Sequence, residues 1–186
     1  MAYSVGEWYE MCCKRGLADI KLMMPTKVGN RMVLGFVNTS QASVVCFWRV
    51  KKVTYFVPKW EMDRNREGWE ILYQEMEWEN APSGIPIYEN QTEDFKQVLV
   101  EIETLAEKIG ATNFAKIFRG AYDYLEAGQI YEAVNKAAVF GGMGSWNDDP
   151  AGMAYEKGLE SEYNELSNRL LEQVRYHVMY AANELY

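Results

Sequence analysis

From Phe95 to Ile109 the apolar residues fall at Phe95, Val98, Leu99, Ile102, Leu105, Ala106 and Ile109, an unbroken 3-4-3 spacing. An α-helix puts that spacing on one face, and a helix with one apolar stripe gains its stability by packing against others. Asn90 or Thr92 can cap its start and Gly110 ends it. Phe114, Ile117, Phe118, Ala121 and Leu125 predict a second helix, with Gly128 after it. Ile130, Val134, Ala137 and Ala138 predict a third, short one that ends at Phe140-Gly141-Gly142. A long last helix, from about Ala154 to Leu185, carries Leu159, Tyr163, Leu166, Leu170, Val174, Ala181 and Leu185 on one side. The short connections between the first three make antiparallel neighbours, so residues 90–186 read as an antiparallel helical bundle.

The residues before this stretch carry a different period. Ser4-Val5-Gly6-Glu7 reads as a capping box that opens a helix from Val5 to about Arg15, with Gly16 as its stop. Extended runs follow at Asp19–Met24, Arg31–Val37, Ser43–Val50 and Val53–Val57, separated by turn residues and closed by Pro58. Short connections favour an antiparallel meander. Val44 to Trp48 is apolar on both faces, as a covered central strand would be. Glu67–Glu79 is read as a helix from Trp69, Leu72, Tyr73 and Met76, although Trp69, Ile71 and Tyr73 also alternate. The fold class is therefore α+β. A small N-terminal antiparallel sheet with flanking helices (residues 1–85) precedes the bundle, and Ala81-Pro82-Ser83-Gly84-Ile85-Pro86 marks the junction.

Charge follows the same division. Residues 1–90 hold 11 Lys+Arg and 11 Asp+Glu, whereas residues 91–186 hold 8 and 16, so the whole net charge of -8 lies in the helical half. That balance argues against nucleic acid, whose phosphates need clustered cations. The basic run Arg49, Lys51, Lys52, Lys59 is followed at once by Glu61, Asp63, Glu67 and Glu70, and reads as a solvated strand face. No apolar run reaches the roughly 18 residues of a membrane span, and the first residues lack the pattern of a secretory signal. Three cysteines, two of them adjacent, fit free thiols in a reducing cytoplasm. One histidine and no Cys-x-x-Cys are too few for a zinc site, and nothing calls for a cofactor. Five of the six tryptophans, Trp8, Trp48, Trp60, Trp69 and Trp78, lie in the first half. They fill a small core or anchor an interface, and the core is the simpler reading.

The most unusual local feature is Phe140-Gly141-Gly142-Met143-Gly144-Ser145-Trp146-Asn147-Asp148. Three glycines in four residues permit positive φ or close approach of another chain. The string lacks the Gly-Lys-Ser/Thr ending of a phosphate loop and the glycine spacing of a dinucleotide fold. As structure, Gly141 and Gly142 end one helix, Met143 and Trp146 plug the end of the bundle, and Asn147 or Asp148 opens the next element. As a site, the same residues would meet a ligand or partner. The string resembles the signature of a bacterial family of small helical domains, in which it follows two amphipathic helices and precedes a last one. The resemblance covers residues 92–186 and departs after Asp148, where Asp149-Pro150 stands in place of an apolar residue. It implies an all-α domain with no catalytic residues to carry over. Small acidic proteins of this kind are also similar, in size and charge, to immunity proteins that neutralise toxins.

These observations make a non-catalytic protein-binding module the leading expectation, with a basic protein, such as an effector that it inhibits, as partner. The candidate contacts are Gly141, Gly142, Met143, Gly144, Ser145, Trp146, Asn147 and Asp148, with Glu160 and Glu165 on the acidic side of the last helix. No catalytic or metal-binding residue is assigned. A small enzyme using Asp148 with a tyrosine or with His177, in a site between sheet and bundle, is the rival. A half-buried or surface position is the default for His177. An oligomeric scaffold, a homodimer formed through the Trp-rich half, is the third reading.

Overall fold

The computed structural model describes residues 2–29, 31, 42–63 and 68–185, and its fold is α+β. The expected strand Arg31–Val37 lies outside the described residues apart from Arg31. The described residues form two compact units. One runs up to Met23 and resumes from Ala42 to Ile87; the other joins Met24 to Arg31 with Tyr88 to Leu185.

In the first unit, helix α1 (Val5–Lys14) is capped by Ser4, whose hydroxyl accepts from the Glu7 N–H at 3.2 Å. The Glu7 carboxylate reaches back one residue further than a capping box requires and accepts from the Tyr3 N–H at 2.9 Å. Strands β1 (Leu17–Met23), β2 (Ser43–Trp48), β3 (Val53–Asp63) and β4 (Gly68–Glu77) follow in sequence order, each antiparallel to the last. The expected helix over Glu67–Glu79 is thus a strand. Its alternating residues Trp69, Ile71 and Tyr73 stand opposite Met62, Trp60 and Pro58, so the period of two decides. The helical spacing Trp69-Leu72-Tyr73-Met76 is divided between the two faces. Nor does Pro58 close β3. The β2 register ends at Phe56, and a residue without an N–H fits a strand that has one ladder neighbour.

Cys12, Cys46, Trp48 and Phe56 form the small core of this unit, joined by Trp8, Leu17 and Ile20. Trp8 meets Phe56 edge-on at 5.2 Å. Beside the core, the Trp48 indole N–H donates to the Thr54 hydroxyl, which donates to Glu75, and Arg15 grips Glu75 with two hydrogen bonds of 2.8 and 3.1 Å. Burial pushes the Glu75 carboxyl upward, but the bonds from Arg15 and Thr54 outweigh it and hold the group below the usual range. Burial also pushes the Cys46 thiol up to about 12, leaving it protonated and inert.

The second unit contains α2 (Thr92–Ile109), α3 (Thr112–Glu126), α4 (Ile130–Ala137), α5 (Asp149–Glu156) and α6 (Glu160–Glu184). The expected single last helix is broken between Glu156 and Glu160. Gly158 adopts φ +67°, and the Leu159 N–H bonds to the Ala154 carbonyl at 2.9 Å, a helix end that glycine makes without strain. The α2 stripe is buried along its whole length, against Phe118, Leu125, Val134, Leu166 and Leu170 among others. Residues 24–31 lie in sequence between strands but bond to α6. The Met24 N–H meets the Met179 sulfur, Arg175 donates to the Pro25 carbonyl, and Arg31 donates to Asn164 and Asn168.

Candidate functional site

The glycine-rich loop connects α4 to α5, and its residues divide into an inner and an outer set. Trp146 is fully buried, with ring centroids of Phe118, Phe114 and Tyr163 at 5.0, 5.2 and 5.3 Å. Its indole N–H donates to the buried Ser167 hydroxyl at 2.7 Å, its backbone N–H donates to Val139, and its carbonyl accepts from the Tyr163 hydroxyl. Trp146 therefore plugs the bundle, as its sequence position suggests. Asn147 is buried as well, and its side-chain amide donates to the Arg31 carbonyl at 3.1 Å. The Arg31 guanidinium lies 5.0 Å from the centre of the Tyr163 ring and is itself buried. Burial raises the Tyr163 hydroxyl above its ordinary value, against the opposing effect of Arg31.

The outer set is different. Met143 is 96% exposed, so it plugs nothing, contrary to the expectation from its apolar side chain. It stands at the tip of a turn in which Ser145 N–H bonds to the Gly142 carbonyl and Gly144 takes φ +74°. The Asp148 carboxylate accepts the Gly144 N–H at 2.7 Å and the Ser145 hydroxyl accepts the Asn147 N–H at 3.2 Å, which pins the turn. Gly141 and Gly142 lie beyond the end of α4 at Ala137, so they extend the loop instead of ending the helix. Asp148 precedes α5 at the cap position, with Pro150 in the first turn, but its side chain caps no α5 N–H. A methyl group added at Gly144 would meet nothing within 4 Å, so Gly144→Ala isolates backbone strain. It is expected to lower stability by about 1–2 kcal/mol, read from the urea midpoint.

Glu160 and Glu165 are exposed on the first two turns of α6, the stretch that also supplies Tyr163, Asn164 and Ser167 to the loop. Among the described residues neither makes an ion pair. His177 is fully buried, where a half-buried or surface position was expected. Its ring sits 4.7 Å from Phe95, and its Nδ1–H donates to the Gln173 carbonyl at 2.9 Å. Burial lowers its pKa, only partly countered by the Gln173 carbonyl and by Asp94. Sealed under Phe95, Tyr176 and Tyr180, it has no route to a substrate. A concavity of about 390 Å³ opens over Asn90 to Asp94 at the start of α2, and no loop residue lines it. Among the described residues no cluster of three or more His, Cys, Asp or Glu side chains could hold a metal ion. None of the described helices is long and apolar enough to cross a membrane.

The sequence reading offered the Trp-rich half as a homodimer surface but did not locate an exposed face on it. Past Phe56, β3 and β4 continue as a two-stranded ribbon whose one face carries Pro58, Trp60, Met62, Trp69, Ile71 and Tyr73. Trp60 is 47% exposed and Trp69 63%. The core reading of the tryptophans holds for Trp48 and, in part, for Trp8, but not for these two. The alternation at Trp69, Ile71 and Tyr73, matched by Pro58, Trp60 and Met62, was the available signal. No protein-family model matches the chain, and neither a curated protein nor a solved structure is similar to it, so the likeness of the Phe140–Asp148 string rests on that string alone.

Proposed function

We propose that the protein is a non-catalytic protein-binding module whose acidic helical unit receives a basic protein, as an immunity-type inhibitor receives its effector. The observation that carries this reading is how the cations of the unit are used. Lys96 bonds to Glu93 and Glu126, Lys108 to Glu162, Arg119 to Glu103 and Arg169 to Glu101. Lys157 donates to the Lys108 carbonyl. Glu156, Glu160 and Glu165 stay exposed without an ion pair among the described residues; Lys116 and Lys136 are exposed too, but 16 Asp+Glu against 8 Lys+Arg over residues 91–186 leave the outward field negative. Met143, held out on a pinned turn beside Asp148 and Asp149, offers an apolar contact within that field. The three free thiols suit a reducing cytoplasm.

The enzyme reading finds less support. The Asp148 carboxylate is engaged by Gly144, and His177 is sealed. The scaffold reading is favoured by one specific observation, the exposed aromatic ribbon. Affinity capture from extracts of the source cell, with wild type compared against Glu156→Lys/Glu160→Lys/Glu165→Lys, tests the main proposal. One basic protein should be retained, with retention falling at least about tenfold in the variant and again between about 0.1 M and 1 M salt. Retention indifferent to both salt and charge reversal would overturn it.

A further inference from the structure

We propose that the apolar face of the β3–β4 ribbon is the surface on which two copies of this chain meet, face to face. The inference rests on the scaffold reading and is independent of the acidic surface. Its starting point is the register. Pro58, Trp60 and Met62 pair with Tyr73, Ile71 and Trp69, so all six side chains share one face. That face continues the one on which Phe56 is covered by Trp8 of α1. Beyond Phe56 the cover ends while the apolar pattern does not. Met62 is 60% exposed, Ile71 41% and Tyr73 64%. The opposite face is mixed there, with Lys59 paired to Glu61 at 2.6 Å and with Glu70 and Gln74 set among Val57 and Leu72. An uncovered two-stranded ribbon is marginal in water, and this one extends six residues past the last β2 pairing before the described register ends at Asp63.

Size and charge point to a second copy. Half-exposed side chains of this kind present roughly 500 Å² of apolar surface, near the upper limit for a monomer. Two such faces together cover about 1,000 Å², where a specific interface begins. The face holds no charged side chain between Pro58 and Met62 or between Trp69 and Tyr73, so it selects no charged partner and does not repel its own copy. Residues 1–90 are also neutral in sum, so the net charge of -8 lies away from this contact in the sequence. An apolar face that meets itself about a two-fold axis is complementary by symmetry.

Sedimentation velocity on the full chain, from about 1 to 200 µM, tests this. Wild type should be dimeric at the upper end. Trp69→Thr keeps a strand-forming residue and should raise the dissociation constant at least about thirtyfold, as loss of a tryptophan anchor does. Met62→Lys, near the end of the described register and away from the core, should do the same with an unchanged unfolding curve. Acrylamide quenching of wild-type tryptophan fluorescence should fall as the dimer forms. A monomer at 200 µM would overturn the proposal, and so would a dimer that both variants leave intact. Two further results would assign the face to another occupant and overturn it equally. One is a monomer whose ribbon tryptophans are already shielded from quencher by the rest of the chain. The other is a monomer whose emission shifts to the blue only on adding phosphatidylcholine vesicles. The acidic-surface reading survives each of these failures, because Trp69→Thr should retain the basic partner as wild type does.

Discussion

Replacing Trp146 by alanine is expected to destabilise the helical unit by about 4 kcal/mol, the upper range for truncating a buried aromatic. Trp146 is fully buried and touches Phe114, Phe118 and Tyr163, so its removal opens a cavity lined on three sides by rings that α3 and α6 hold in place. Ser167, itself fully buried, loses the indole donor that its hydroxyl accepts. The Tyr163 hydroxyl keeps its acceptor, because that acceptor is the backbone carbonyl of residue 146. The cost is therefore a cavity plus one lost hydrogen bond at a buried hydroxyl, which keeps its contact with Tyr163. Urea unfolding followed by the helical signal at 222 nm measures it. Met143→Ala, three residues away and 96% exposed, should stay within about 0.5 kcal/mol of wild type. A Trp146→Ala loss below about 1 kcal/mol would show that the loop does not close the core. The pair of variants separates the inner half of the loop from the half that faces solvent.

Much of the helical unit was legible because its information is local. The stripe from Phe95 to Ile109 states the element and its face within fifteen residues, Gly110 marks its end, and all seven stripe positions are buried. Where two local signals agreed in strength, the sequence left the outcome open. Trp69 to Met76 satisfies both periods, and what decides is its pairing with Pro58, Trp60 and Met62. Gly158 inside an apolar period costs a helix only about 1 kcal/mol, so the stripe through Leu159 and Tyr163 looked continuous. In the loop, Met143 and Trp146 are both apolar and both flanked by glycine or serine. Only the turn set by Gly144 and Asp148 sends one outward and the other inward. Arg31 had no local signal at all. It bonds to Asn164 and Asn168, more than 130 residues away, and a cation in a stretch that reads as a strand gives no hint of them. The exposed acids of α6 were legible as the polar complement of its apolar stripe. That only two of the first five tryptophans belong to the core was not, because exposure depends on where the cover that Trp8 of α1 gives the sheet stops.

Lowering the pH from about 7.5 to 5.5 is expected to destabilise the helical unit, with His177 as the cause. In the unfolded chain its imidazole titrates near 6.5. Folded, the ring is cut off from water between Phe95, Tyr176 and Tyr180, and burial lowers its pKa, with the Gln173 carbonyl and Asp94 opposing but not reversing the shift. The Gln173 carbonyl can only accept, so Nδ1 carries the proton, and Nε2 is buried with no partner. Placing a second proton there would put an unpaired N–H, and a charge, in an apolar site. Between the two pKa values the unfolded state binds a proton that the folded state does not. The stability that the neutral ring supplies is therefore complete above about pH 6.5 and declines as the pH falls toward the folded pKa, with a limiting slope of about 1.4 kcal/mol per pH unit. Glu101, held below the usual range chiefly by its bond from Arg169 and despite some burial, contributes in the other window. Its stabilisation is present above about pH 4.3 and lost only below it, so the two effects separate. The chain has one histidine, so no other imidazole contributes to the slope. His177→Phe should abolish the change in urea midpoint between pH 7.5 and 5.5, because the ring no longer titrates and the unpaired Nε2 is gone. A wild-type midpoint that is equal at both pH values, or a slope that persists in His177→Phe, would show that the buried ring is not the group that titrates.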